Sequence, residues 1–299
     1  MAPDGSRLTV RDLCKTYPNG VRALKNVNLA ISAGMFGLLG PNGAGKSTLM
    51  RTLATLQDPD SGAVEFGALD VLKHKERLRE VLGYLPQEFG LYPNLSAETI
   101  LDHFAVLKGV IDRRERAAQV GALLEQTNLA PVRKQAVGGF SGGMKQRLGI
   151  AIALLGRPRL VIVDEPTAGL DPTERHRFLD LLGEIGQDIV VILSTHIVED
   201  VHELCSQFAI ISHGEVLYAG SPAAAVAGLR GQIWRRVTTR TELPELQRDL
   251  HVIATRLVAG RPLVHVHHPE SPGPGFEPIE PDLEDVYFFH ITGRTRRAP

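Results

Sequence analysis

Two pieces of this sequence carry residues whose types and spacing could do chemistry together. Gly40-Pro41-Asn42-Gly43-Ala44-Gly45-Lys46-Ser47, followed by Thr48, has the spacing G-x-x-x-x-G-K-[ST]. Glycines let backbone N–H groups close around an oxyanion, because no Cβ stands in the way. A helix that starts in the loop turns the positive end of its dipole toward the anion. Lys46 adds a mobile positive charge, and the Ser47 hydroxyl suits a magnesium ion. That is the chemistry of a polyphosphate site. The second piece, Leu160-Val161-Ile162-Val163-Asp164-Glu165, is an apolar run ending in two carboxylates. Asp164 can join a Mg²⁺ shell at a strand's carboxyl end, where α/β sheets hold their ligands. Glu165, one residue on, can orient and deprotonate an attacking water. Taken singly, the first piece could be a chance glycine turn and the second a solvated acidic turn. Their pairing favours the site.

Both pieces need elements to hold them. Residues 7–31 alternate as two strands around Pro18-Asn19-Gly20, a hairpin signal. Phe36 to Leu39 reads as a short buried strand entering the loop, and Ser47 to Leu56 as the helix leaving it. Residues 96–130 read as helical, with Arg113, Arg114, Glu115 and Arg116 as a solvated face. Another helix follows Ser141. The uniformly apolar runs 160–164 and 189–194 read as buried parallel strands with a helix between them.

In order and spacing these residues resemble an ABC transporter ATPase, over residues 7–221 and on to about 293. Phe140-Ser141-Gly142-Gly143-Met144 resembles the family signature. Gln87 looks like the Q-loop glutamine, Asp171 the D-loop aspartate, His196 the switch histidine, and Tyr17 the aromatic ring on the adenine. Phe140 and Met144 depart from the commonest signature, which has Leu and Gln there. The SGGM form, and the ending Asp282-Leu283-Glu284-Asp285-Val286-Tyr287-Phe288-Phe289-His290-Ile291-Thr292-Gly293, are similar to the drug, antibiotic and polysaccharide exporter branch.

The resemblance implies an α/β fold: a P-loop NTPase core of the ABC ATPase type with a mixed sheet, a helical signature subdomain at about 88–156, and a small C-terminal α+β extension. The ATP-binding domain would span 1–221 and the accessory region 222–299. It implies ATP and Mg²⁺ as ligands. ATP would lie on Tyr17, Gly40 to Thr48, and, from a second copy, Ser141, Gly142, Gly143 and Asp171. Lys46, Gln87, Glu165 and His196 would act in hydrolysis, and Ser47, Gln87 and Asp164 would hold the metal. The partners would be an integral-membrane permease and a second copy or homologous subunit, at the cytoplasmic face of the membrane. A soluble ATPase switch, a nucleotide-sensing module and an importer ATPase are the rival readings.

Composition sets outer limits. The 299 residues suit roughly two domains. A net charge of −1 gives no general attraction for nucleic acid. No apolar run is long enough for a membrane span, so another chain would have to supply one. Cys14 and Cys205 are read as buried reduced thiols. Beyond 222, Val264-His265-Val266-His267 places two histidines on one strand face. With His268 a metal is conceivable, but an exposed strand face is the plainer expectation. Residues 268–281, with five prolines, read as loop or extended chain. Arg294, Arg296 and Arg297 form a small basic tail. The accessory region is expected to regulate or help pair the ATPase.

Overall fold

The computed structural model describes residues 7–186 and 188–295. By its internal contacts the chain divides into two units, Met1–Val216 and Leu217–Pro299.

In the first unit, β1 (Leu8–Thr16) and β2 (Arg22–Ile31) pair antiparallel around the expected turn, with Gly20 at φ 81°. β3 (Gly34–Leu39) feeds the glycine loop, and α1 (Lys46–Leu53) leaves it. The helix is shorter than the sequence suggested, because Thr55 takes φ 60° and ends the run to Leu56. β4 (Ser61–Phe66), β5 (Leu69–Asp70), α2 (Lys75–Glu80) and β6 (Leu82–Leu85) follow. The next stretch is not one helix over 96–130 but two, α3 (Ala97–Leu107) and α4 (Arg113–Gln126). Gly109 at φ 82° breaks the path between them, and Ser96 and Asp112 cap the two starts, accepting from Thr99 N and Glu115 N. Arg116 leaves the expected solvated face and reaches α3, its Nε 2.6 Å from Asp102 Oδ1.

α5 (Gly142–Ala153), β7 (Leu160–Asp164), α6 (Pro172–Ile185), β8 (Val190–Thr195), α7 (Val198–Leu204), β9 (Gln207–Ser212) and the start of β10 (Glu215–Gly220) complete the layers. One sheet has the order β2-β1-β4-β5; the other runs β10-β9-β3-β8-β7-β6, with β9, β3, β8, β7 and β6 parallel. β7 and β8 are buried at every residue, as their unbroken apolar sequences require. The core between the sheets gathers Leu8, Val27, Leu38, Leu49, Val64, Ile162 and Ile192, all with 1% exposure or less. Cys205 is buried, but Cys14 is only half-buried, its Sγ donating to Asn26 Oδ1. Among the described residues no helix is long and apolar enough to cross a membrane.

The second unit contains α8 (Pro222–Ala227), β11 (Ile233–Val237), α9 (Leu243–Asp249), β12 (His251–Val258), β13 (Arg261–His267), β14 (Glu277–Pro278) and α10 (Leu283–Thr295). Its sheet has the order β12-β13-β11-β14. The expected exposed face of β13 is instead covered: His265 is 6% exposed, and its Nδ1 lies 2.7 Å from Asp285 on α10. His267 packs against Phe289 of the same helix, with ring centroids 4.6 Å apart and planes tilted by 48°. A sequence shows the alternation of a strand but not the helix that will cover it. Among the described residues no cluster of His, Cys, Asp and Glu is suited to a metal ion. Of the basic tail, Arg296 and Arg297 and the Arg294 side chain lie outside the described residues.

Burial holds both His267 and His290 below the usual imidazole range; a neighbouring His268 adds to the effect at His267. The unfolded chain therefore takes up protons that the fold refuses once pH drops below about 6.5. Stability should fall as pH is lowered through that value and level off below the depressed folded values. Thermal melting of the full chain from about pH 7.5 to pH 5.5 checks this, and His267→Gln should flatten the slope.

Candidate active site

The parallel strands set the geometry. In register, Leu39 of β3 lies beside Thr195 of β8, Asp164 of β7 beside Ser194, and Leu85 of β6 beside Val163. The residues just past these ends are Gly40, His196, Glu165 and, two on, Gln87. Strand register alone brings four distant sequence segments to one rim.

The glycine loop leaves β3 at this rim. Gly45 starts α1 at φ 106°, and a Cβ there would overlap the carbonyl oxygen of Ala23. Gly43 at φ 77° has open space where a side chain would sit. Between them Ala44 N donates to Pro41 O at 3.1 Å, closing the turn, and the loop borders a cleft of about 600 Å³. Tyr17, Pro41 to Thr48, Gln87 and Glu165 line it, with Arg22, Lys25, His213 and Gly214. Tyr17 is half-buried, and its hydroxyl is 3.2 Å from both Thr48 Oγ1 and Gln57 Oε1.

Glu165 is the meeting point of the rim. Lys46 is 4% exposed and places Nζ 2.7 Å from Gly40 O, 3.2 Å from Pro41 O and 3.2 Å from Glu165 Oε1. Gln87 Nε2 and His196 Nδ1 each stand 3.4 Å from Glu165 Oε2. The glutamate itself sits at φ 47°, a left-handed backbone rare for a non-glycine residue, and its N–H donates to Ser194 O at 2.9 Å.

Asp164 is 3% exposed, and burial pushes its carboxyl above the usual carboxylate range; the Ser194 and Ser47 hydroxyls and Lys46 pull it back, while Glu165 adds to the rise. Its Oδ1 is buried with no hydrogen-bond partner. Beside it, Tyr84 of β6 was not marked by the sequence, since β6 is too short for its alternation to stand out. Burial, reinforced by the Asp164 charge and opposed by Arg51, pushes its phenol up to about 12, so it remains a donor at neutral pH.

Ser141, Gly142, Gly143 and Asp171 do not join this cleft in the same chain. Ser141 caps α5, accepting from Met144 N at 3.1 Å, and is exposed together with Gly142. Asp171 caps α6, accepting from Glu174 N at 2.9 Å, and is also exposed. Gly143 is buried against Glu174, whose carboxylate a Cβ would strike. That carboxylate is held by Arg147 of α5 at 2.7 Å. Met144 offers a thioether where an amide would be expected, yet its backbone still serves the cap.

A family model described as ABC transporter matches residues 24–168. The chain is 38% identical over 214 residues to the ABC transporter ATP-binding protein YxlF of Bacillus subtilis, covering 71% of this chain and 70% of YxlF. The chain belongs to the ABC transporter family. It is 38% identical over 228 residues to the probable multidrug ABC transporter ATP-binding protein YbhF of Escherichia coli, covering 75% of this chain but only 39% of YbhF. To the methionine import ATP-binding protein MetN 1 of Acinetobacter baylyi it is 35% identical over 256 residues, 82% of this chain and 71% of MetN 1. It also resembles the ATP-binding cassette MJ0796, solved as a dimer in a post-hydrolysis state with ADP and Pi: TM-score 0.62, 28% identity, 72% of this chain and 98% of that one. This ABC cassette is thus an ATP-binding and ATP-hydrolysing subunit of a transporter.

In an ABC cassette built this way, Lys46 is, among the described residues, the one cation buried at the loop. Lys46→Ala should weaken nucleotide binding at least about tenfold, since charge-assisted hydrogen bonds contribute about 1.5–3 kcal/mol each. Titration with a fluorescent ATP analogue measures it, and unchanged affinity would remove the loop from nucleotide binding.

Proposed function

We propose that this cassette powers a membrane exporter by closing on a second copy around ATP and reopening after hydrolysis. What carries the reading is the Glu165 carboxylate, within 3.4 Å of Lys46, Gln87 and His196 at the floor of the cleft. A carboxylate so placed is positioned to orient water and take its proton. Lys46 binds the β- and γ-phosphates. His196, half-exposed, reaches the γ-phosphate and steadies charge that develops on it. Tyr17 carries the adenine ring.

The residues fit a magnesium ion. Asp164 offers a buried oxygen with no protein partner, and Ser47 and Gln87 add hard oxygen donors at the cleft. Asp164, Ser47 and Gln87 would hold the ion, which when bound offsets the negative charge on the phosphate oxygens. Asp164, being pushed toward its neutral form, gains most from such a partner.

The second copy enters through helix ends. The start of α5 presents Ser141 and Gly142 to solvent with the dipole behind them. That is an anion site without an anion partner in its own cleft, and the γ-phosphate held by the opposite copy is its proposed ligand. Hydrolysis then removes the bridge between the copies, a switch biased by ligand.

Export is favoured over import by the SGGM signature, by the chain's ending and by the similarity to YbhF; the similarity to MetN 1 supports the importer alternative. An integral-membrane permease at the cytoplasmic face is the proposed partner, with 222–299 regulating or helping pair the cassette. Glu165→Gln should keep ATP binding, lower turnover by at least about 100-fold and trap a dimer in ATP. Steady-state phosphate release and size-exclusion chromatography read the two effects. Full turnover would take Glu165 out of the base role.

A further inference from the structure

Asp200 on α7 is fully buried, yet it lies in none of the segments that face the cleft. A buried carboxylate without partners is costly, and this one has three. Thr167 Oγ1 donates to Oδ2 at 2.9 Å, Thr195 Oγ1 donates to the same oxygen at 3.0 Å, and Arg175 brings Nε and Nη2 to 2.7 Å of Oδ1. The three donors come from three segments of the site. Thr167 is two residues past Glu165. Thr195 immediately precedes His196. Arg175 is in the first turn of α6, whose cap is Asp171.

The contacts continue to the residues that matter. Thr195 Oγ1 also accepts from Ile197 N at 3.0 Å, so the histidine's loop is fastened on both sides of His196. The Glu165 turn holds a left-handed backbone that is unfavourable for an ordinary L-residue and persists only when its surroundings over-determine it. Thr167 and Ser194 flank that turn, one anchored to Asp200 and the other accepting from the Glu165 N–H. Both hydroxyl anchors end on one oxygen, so the Glu165 and His196 loops share a reference point.

We propose that Asp200 is a positioning residue for ATP hydrolysis, fixing the Glu165 and His196 loops in mutual register through Thr167 and Thr195. Resting on the reading of Glu165 as the base and His196 as its companion, it acts through them and touches no substrate. Its charge holds Arg175, and through α6 the anchor reaches the Asp171 cap.

The test uses the full chain. Asp200→Asn should lower kcat about 100-fold, the loss expected from about 1 Å of misplacement. Nucleotide affinity by fluorescent titration should stay unchanged, as should KM for ATP. Thr167→Val removes one anchor only and should lower kcat about tenfold; it carries the test if Asp200→Asn does not fold. The decisive readout is coupling. With enzyme in excess over labelled ATP, Thr167→Val added to Glu165→Gln should cause no further loss, because the anchor works through Glu165. A full further loss in that background, or wild-type kcat in both single variants, overturns the proposal, as does a kcat loss that merely follows loss of folded protein and nucleotide binding. If Glu165→Gln alone keeps full turnover, the base reading falls and takes this one with it. If Glu165→Gln is inactive while Asp200→Asn and Thr167→Val are not, only the positioning role is lost.

Discussion

The register of four parallel strands is the constraint from which the site follows. β3 and β8 end level, β7 stops one residue short of them and β6 one residue short of β7, and the chain leaves each end carrying a polar group: the glycine loop, His196, Asp164 with Glu165, and Gln87. Backbone hydrogen bonds fix that register, and apolar packing on both faces fixes the hydrogen bonds. The carboxyl ends of parallel strands open a crevice that the helices cannot fill. A slip of one residue in β7 would reverse which side chains face each layer and carry Asp164 out of the rim. The uniformly buried run Leu160 to Val163 is therefore as necessary to the chemistry as the carboxylates that follow it.

The loop and the two carboxylates were legible because their chemistry forces residue types at fixed spacing. Glycine at 43 and 45 answers to backbone geometry, both at positive φ, and Lys46 and Ser47 are the types that the proposed phosphate and metal roles call for. Strands β7 and β8 were legible for a different reason: their apolar runs are short and rich in Val and Ile, which favours a buried strand over a buried helix. The break at Gly109 was missed because α3 and α4 both follow helical spacing and one glycine does not distinguish a turn from a tolerated interruption. His265 was misplaced onto an exposed face because the helix that covers it comes twenty residues later, at Asp285. Asp200 and Tyr84 gave no signal. Their roles come from what surrounds them in space, and an aspartate in a helical stretch or a tyrosine in a short strand has many ordinary explanations.

Two helix starts show how one residue meets local and distant demands together. Ser141 and Asp171 satisfy backbone N–H groups at the ends of α5 and α6, which any helix end requires. Both also stand exposed, with Glu174 packed against Gly143 and held by Arg147, so the two starts are joined within the chain. The side chains that begin the helices are thus fixed relative to each other within the chain.

The left-handed backbone at Glu165 has an evolutionary consequence. Glycine or asparagine would sit there with less strain, by about 1 kcal/mol. On the backbone alone, replacing the acid would relax the turn. The same change would leave Lys46, buried 3.2 Å from Glu165 Oε1, without its anionic partner, so strain and ion pairing oppose each other at this position, and what keeps a glutamate there is the pairing together with the chemistry proposed for it.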